Sequence, residues 1–120
     1  MNLGFNSVLF GNFDLEKAFI AASEIGYTGI ELSALDPAMS EHINESEPVS
    51  QNISVISGLI DKYGLPVTAI ERAKHDINSW EYIVQLAEGI GCQIINLGPG
   101  GKIDSNGVPI TEGSFDYAIE

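Results

Sequence analysis

Apolar positions along this chain follow two alternating kinds of pattern. In three stretches they recur every three or four residues, as on one face of an amphipathic helix. These stretches read DLEKAFIAASEIG, VSQNISVISGLIDKYG and INSWEYIVQLAEGIG. Each stretch ends at a glycine, and Gly26 is expected to supply the left-handed residue that ends the first helix. Gly64 and Gly91 are predicted to end the other two helices.

Capping residues are predicted at the start of each helix. Asp14 is the expected N-cap of the first helix and Ser50 that of the second. Asn78, with Glu81 three residues later, resembles a capping box. The predicted buried stripes are Leu15, Ala18, Phe19, Ala22 and Ile25, then Ile53, Ile56, Ile60 and Tyr63, then Trp80, Ile83, Val84 and Ala87.

Short runs that are apolar at nearly every position separate the helical stretches. YTGIEL, LPVTAIE and CQIINLG follow the three glycines, and LGFNSVLF opens the chain. Continuous apolar runs are typical of parallel strands that are buried on both faces. After the fourth strand, GSFDYAIE resembles the first turns of another helix, with Ser114 as its cap.

This alternation predicts an α/β fold built from four βα units across residues 1–120. The last helical pattern stops at Glu120, where its backbone groups and apolar face would lack partners. We therefore expect residues 1–120 to be the N-terminal half of a (β/α)8 TIM barrel, with helices outside the parallel strands. An open doubly wound sheet begins with the same alternation and remains the alternative architecture.

The charge balance narrows the classes of partner. The chain has 5 basic and 17 acidic residues, a formal net charge of −12. This charge repels nucleic acid backbones and anionic membranes, so neither is expected as a partner. No apolar run approaches the roughly 18 residues that span a bilayer, the opening residues lack the basic start of a signal peptide, and the single Cys92 excludes an intrachain disulfide. A cytoplasmic protein is expected, with SEHINESEP as an exposed acidic loop.

Four phrases carry a resemblance to a known family. LGFNSVLF, ASEIGYTGIELS, KYGLPVTAIE and LAEGIGCQIINLGPGG resemble the opening half of the sugar phosphate isomerase/epimerase family, the xylose isomerase-like TIM barrels. The similarity runs across essentially all 120 residues. It implies a barrel whose mouth binds a small sugar or sugar phosphate through a divalent metal ion such as Mn, Mg, Co or Zn. The implied reaction moves a proton next to a carbonyl through an enediolate.

The resemblance also implies where the catalytic groups lie. The family's metal ligands and catalytic residues come from strands of the second half, so none maps onto residues 1–120. We therefore expect the catalytic groups beyond Glu120, and an isolated fragment that binds no metal and is inactive. The whole protein is expected to be a homo-oligomer.

Polar residues near the carboxyl ends of the four strands are the candidate substrate-binding residues. They are Asn6, Glu31, Glu71 and Asn96. In a TIM barrel these strand ends face the active site, so the side chains would bond substrate hydroxyls or orient metal ligands. The alternative is that they bond to neighbouring loops or face water at the rim.

Two histidines are candidates for a chemical role. His75 with Asp76 would make a base and its orienting carboxylate, although a loop histidine before a helix is more often a solvated surface group. His42 would be a metal ligand with Glu41 or Glu45, but no second histidine lies at a useful spacing. We expect neither histidine to have a chemical role.

Three other features favour structural roles. LGPGGKIDSNG matches neither the phosphate loop nor the dinucleotide-binding motif, so a tight turn and a rim loop are expected. The alternative is a loop whose backbone N–H groups approach the substrate, with Lys102 available for a phosphate or carboxylate. Cys92 is predicted to be a small buried residue and Trp80 a packing residue.

Two other functions remain open. One is a non-catalytic α/β module that associates with a second copy. The other is a barrel like that of the abasic-site endonucleases, which usually carry histidines where this chain has Glu71 and Asn96. The missing histidines and the acidic charge argue against the nuclease.

Overall fold

Strands and helices alternate along the chain in the predicted order. The computed structural model describes residues 2–35, 37–72 and 77–97, without the side chains of residues 77 and 78. The predicted fourth helix, the glycine-rich loop, His75 and Asp76 lie outside these ranges. The elements are β1 (Gly4–Asn6), a 3-10 turn (Ser7–Phe10), α1 (Leu15–Ile25), β2 (Gly29–Ala34), α2 (Val49–Tyr63), β3 (Val67–Arg72), α3 (Ile77–Ile90) and β4 (Ile95–Leu97).

The four strands form one parallel sheet in the order β1-β2-β3-β4. Crossover connections between parallel strands are almost always right-handed, and a steady strand order then places all the connecting helices on one face. A doubly wound sheet reverses its strand order beside its first strand. The described strands show no such reversal, so the open doubly wound alternative does not fit them.

The core lies between the sheet and the helices. Ile30, Leu32 and Ile70 point from the strands into a cluster with Phe19 of α1 and Ile83 of α3, and all five are 0% exposed. Burying one such side chain contributes about 1.5–3 kcal/mol relative to leaving it in water. This packing covers one face of the sheet and fixes which strand residues point to the other face.

Most helix boundaries follow the sequence signals. Gly26, Gly64 and Gly91 have φ values of 90°, 64° and 72°, the left-handed conformation that ends a helix. Asp14 Oδ1 accepts a hydrogen bond from the Lys17 N–H at 3.1 Å, which confirms the first cap. The cap predicted at Ser50 is wrong, because α2 begins at Val49 and Pro48 occupies the N-cap position without a side-chain bond.

Some predicted positions differ. Ile25 is 71% exposed and Val84 is 44% exposed, because each lies on the outer edge of its helix, while Leu86 is fully buried. The opening run LGFNSVLF is a strand only over Gly4–Asn6. The chain then turns, because Asn6 Oδ1 accepts from the Val8 N–H at 2.9 Å and starts the 3-10 turn.

Candidate functional site

The four predicted site residues lie on the sheet face that carries no helices. Asn6 aligns with Glu31 across β1 and β2, and Glu71 aligns with Asn96 across β3 and β4. Glu71 also aligns with Ser33, two residues after Glu31 on β2. Aligned residues in a parallel sheet share a face, and alternate residues of one strand share it too. The four side chains therefore point the same way. Asn6, Glu71 and Asn96 lie at or next to the last residue of their strands, as predicted. The prediction was wrong for Glu31, which lies in the middle of its strand because β2 continues to Ala34.

A first pair of these side chains joins β1 to β3. Asn6 Nδ2 donates a hydrogen bond to Glu71 Oε2 at 2.6 Å, passing over the intervening strand β2. The other end of the same amide is already used, because its Oδ1 accepts from the Val8 N–H. Asn6 is thus held at both ends, and its position fixes that of the Glu71 carboxylate.

A second pair joins β2 to β4 in the same manner. Asn96 Nδ2 donates to Glu31 Oε1 at 2.5 Å, passing over β3. Asn6, Glu31 and Asn96 line an open groove of about 410 Å³, together with Thr68 and Ile94. A carboxylate accepts more than one hydrogen bond and an amide nitrogen carries two protons. Each pair can therefore offer both an acceptor and a donor to a hydroxyl group.

The Asn6 amide makes a testable contribution to stability. In Asn6→Asp, the Oδ1 acceptor for Val8 is kept, but a second carboxylate faces Glu71 in place of the donor. We expect the free energy of unfolding to fall by about 1.5–3 kcal/mol, the usual worth of a hydrogen bond to a charged group. Urea unfolding at pH 7 measures it.

The matched control is Asn96→Asp, which makes the same change against Glu31 at an exposed position. Exposed charges are screened by water, so this variant should lose less than about 1 kcal/mol. Equal losses in the two variants would show that Asn6 has no special structural role.

The loop that follows β2 forms the rim beside this face. The sequence predicted SEHINESEP to be an exposed loop, but Ser40, His42 and Ile43 are only 2%, 6% and 8% exposed. The prediction was wrong for these residues because the loop is bonded inward at two points, through the His42 ring and the Glu45 carboxylate.

The first of these points is the His42 imidazole. Its Nε2 lies 3.1 Å from both the Phe10 and Phe13 carbonyl oxygens, and its Nδ1 lies 3.0 Å from Ser7 Oγ. Carbonyls only accept, so Nε2 carries the proton and Nδ1 accepts from the Ser7 hydroxyl. Ser7 Oγ in turn accepts from the Ser33 N–H at 2.9 Å. The ring is thus a structural link between β1, β2 and their loops.

This arrangement bears on metal binding. Both ring nitrogens of His42 are engaged inside the protein, which argues against a metal site with Glu41 or Glu45. Within the described ranges, no group of three or more His, Cys, Asp or Glu side chains is placed to hold a metal ion. The donor set of this part of the chain does not fit the divalent metal that the family resemblance implies.

The second point is an ion pair that the sequence reading missed. Arg72, which is 1% exposed, holds both carboxylate oxygens of Glu45 through its two terminal nitrogens. It also donates to the Ala34 carbonyl at 3.1 Å, and the Ser79 hydroxyl donates to Glu45 Oε2 at 2.5 Å. The loop is thereby tied to β2, β3 and α3.

The sequence contained a weak signal for this pair. Arg72 directly follows the predicted strand run LPVTAIE and is the last residue of β3. Its side chain points toward the helices, on the same side as Ile70. A lone basic residue at the end of a buried strand, in a chain with few cations, could have indicated a buried partner.

Cys92 has the structural role that was predicted. It is 7% exposed, and its thiol donates to the Ile94 carbonyl at 3.3 Å. Burial raises the pKa of the Cys92 thiol, which disfavours the reactive thiolate.

Comparison with known proteins does not identify a family for this chain. The chain matches no protein-family model and no curated protein. None of the helices in the described ranges combines the length and apolar character needed to cross a bilayer. Function must therefore be inferred from the geometry of the site.

Proposed function

We propose that this chain supplies the first four βα units of a (β/α)8 barrel enzyme, a metal-dependent isomerase or epimerase of sugars or sugar phosphates. In this proposal Asn6, Glu31, Glu71 and Asn96 bind the hydroxyl groups of the substrate. The observation that carries the proposal is the pair of crossed amide–carboxylate hydrogen bonds on the helix-free face.

The architecture supports the barrel. The strand order is sequential, and the outer strands β1 and β4 each have only one partner strand in the described sheet. Unpaired strand edges are a liability in an isolated sheet, and parallel sheets are usually covered on both faces. Further βα units that continued the same order would pair both edges and enclose the polar face as the barrel interior.

The chemistry of the face supports a polyhydroxylated substrate. Ligands of (β/α)8 enzymes bind at the carboxyl ends of the strands. Asn6, Glu71 and Asn96 lie at or next to such ends, and Glu31 is aligned with Asn6. Carboxylates and amides together match hydroxyl groups, which both donate and accept hydrogen bonds. Because Asn6 holds Glu71 and Asn96 holds Glu31, the acceptors are already positioned before a substrate arrives.

The proton-transfer step is assigned outside the described residues. A divalent metal, when bound, would polarise the carbonyl and stabilise the enediolate charge. The described residues offer no ligand set for it, so the proposal places the metal ligands and the catalytic base elsewhere in the protein. The residues described here bind and orient the substrate.

Deuterium exchange tests this function. The protein that contains this chain would be incubated with Mn²⁺ in D2O, with D-fructose, D-xylulose and their phosphates as probes. Proton NMR should show deuterium entering at the carbon next to the carbonyl. We expect the rate to fall about tenfold in Glu31→Gln/Glu71→Gln, because two charged hydrogen-bond acceptors are weakened.

Glu24→Gln/Glu88→Gln provides the control. It changes the net charge equally, at exposed positions on α1 and α3, and should keep the wild-type rate. If none of the probes gains deuterium with the wild-type protein, the proposed reaction is wrong.

The same bare edges favour a second candidate, a non-catalytic module that pairs with another copy of itself. Sedimentation velocity of the 120-residue chain would then show a dimer whose dissociation depends on concentration. A folded monomer at micromolar concentration would exclude this candidate.

A further inference from the structure

In the described strands, the charged side chains on the helix-free face are all acidic. Of the side chains that point to this face in the described strands, Glu31 and Glu71 are acidic and none is basic. Asn6, Ser33 and Asn96 supply neutral polar groups beside them. The Glu31 carboxylate lines the groove, and the Glu71 carboxylate lies beside it, bonded to the groove residue Asn6. No side chain of the described strands on this face compensates these two charges.

The described cations are all committed elsewhere. Arg72 points to the helix side and holds Glu45. Lys62 of α2 pairs with Glu16 at 2.7 Å, and Lys17 of α1 lies 5.0 Å from the centre of the Phe13 ring. Within the described ranges, no basic side chain is placed to receive an anionic group in the groove.

We propose that this groove selects an unphosphorylated sugar or polyol and discriminates against its phosphorylated counterpart. The proposal rests on the proposed function and narrows its substrate class. A phosphate group carries nearly two negative charges at neutral pH, and its oxygens mainly accept hydrogen bonds. Glu31 and Glu71 would repel that charge and have no protons to donate, whereas sugar hydroxyls can donate to both carboxylates.

The orientation of each pair strengthens this selection. In each pair, one amide N–H already donates to the carboxylate. One N–H donor and several carboxylate acceptor positions therefore remain for a ligand. An acceptor-rich surface of this kind suits a ligand rich in donors. Neighbouring hydroxyls of an uncharged sugar meet that requirement, while a phosphate would leave the carboxylates facing further acceptors.

Side-chain NMR provides a direct readout. The NH2 signals of Asn6 and Asn96 would be followed while the chain is titrated with D-fructose and, separately, with D-fructose 6-phosphate. At 20 mM salt and pH 7.5 we expect the free sugar to bind at least tenfold more tightly. At 300 mM salt the ratio should narrow, since the screening length falls below about 8 Å.

Two double variants of equal net charge distinguish the effect of the carboxylates on the helix-free face from the effect of the chain's net charge. In Glu31→Gln/Glu71→Gln the preference should drop to about threefold or less, whereas Glu24→Gln/Glu88→Gln should keep the wild-type preference at the same net charge. Equal or tighter binding of the phosphate by the wild-type protein would overturn the inference. Binding of neither sugar would overturn it as well.

The two proposals fail in different ways. Sugar binding with the expected preference, but without deuterium exchange, would contradict the isomerase and leave the selectivity of the groove intact. Deuterium exchange with the sugar phosphate in preference to the free sugar would uphold the isomerase and refute the selectivity.

Discussion

Replacing Glu45 with alanine should lower the free energy of unfolding by about 3–5 kcal/mol, the usual loss when one partner of a buried ion pair is removed. The Arg72 side chain is 0% exposed and Glu45 is 23% exposed, so it is the arginine that would be left charged and without water. Chemical denaturation at pH 7 measures the change. The β2–α2 loop should also become more susceptible to proteolysis, because its tie to β3 and α3 is lost.

Two further variants identify the cause. Glu41→Ala removes an exposed carboxylate from the same loop and should change stability by less than about 0.5 kcal/mol. Arg72→Met/Glu45→Leu removes both charges and should recover most of the stability, since apolar replacements of a buried pair are often neutral. A loss below 1 kcal/mol in Glu45→Ala would show that the pair is not important for the fold.

Replacing His42 with phenylalanine should cost about 2–4 kcal/mol, because buried polar groups left without partners cost about 1–3 kcal/mol each. The Ser7 hydroxyl would lose its acceptor and the Phe13 carbonyl its donor. The Phe10 carbonyl still accepts from the Phe13 N–H at 2.8 Å, so it is not left unpaired. The change in melting temperature and in urea midpoint would measure the loss.

A double-mutant cycle with Ser7→Ala tests the mechanism. Once the hydroxyl is gone, the His42 substitution removes one bond fewer, so the two losses should not add and should differ from their sum by about 0.5–3 kcal/mol. Strict additivity would mean that the Ser7–His42 contact contributes nothing to stability.

The common face of the four candidate residues could be predicted from the sequence, because it depends on local pattern. Glu31, Glu71 and Asn96 each stand near the end of an apolar run, and parallel strands bring such ends to one edge of the sheet. The helix ends were equally local, since Gly26, Gly64 and Gly91 follow amphipathic stretches. The crossed hydrogen bonds were not predicted, because they depend on how far each side chain reaches across a strand.

The rim was missed for a related reason. His42 meets Ser7 from 35 positions away in the chain, and Arg72 meets Glu45 from 27 positions away. No local pattern indicates contacts between residues so far apart in the sequence. The acidic, polar segment SEHINESEP was therefore predicted to be exposed to solvent. The predicted burial of Ile25 was wrong for a different reason, because an apolar residue can fit a helical stripe and still lie beyond the edge of the core.

The double attachment of Asn6 has a consequence for how this protein can be redesigned. Asn6 positions Glu71 and also starts the turn that carries Ser7, so a substitution there alters ligand contacts and folding together. Asn96 is exposed on the outer strand β4, where new side chains are tolerated more readily. Directed evolution toward new ligands should therefore accept changes at position 96 and reject most of them at position 6.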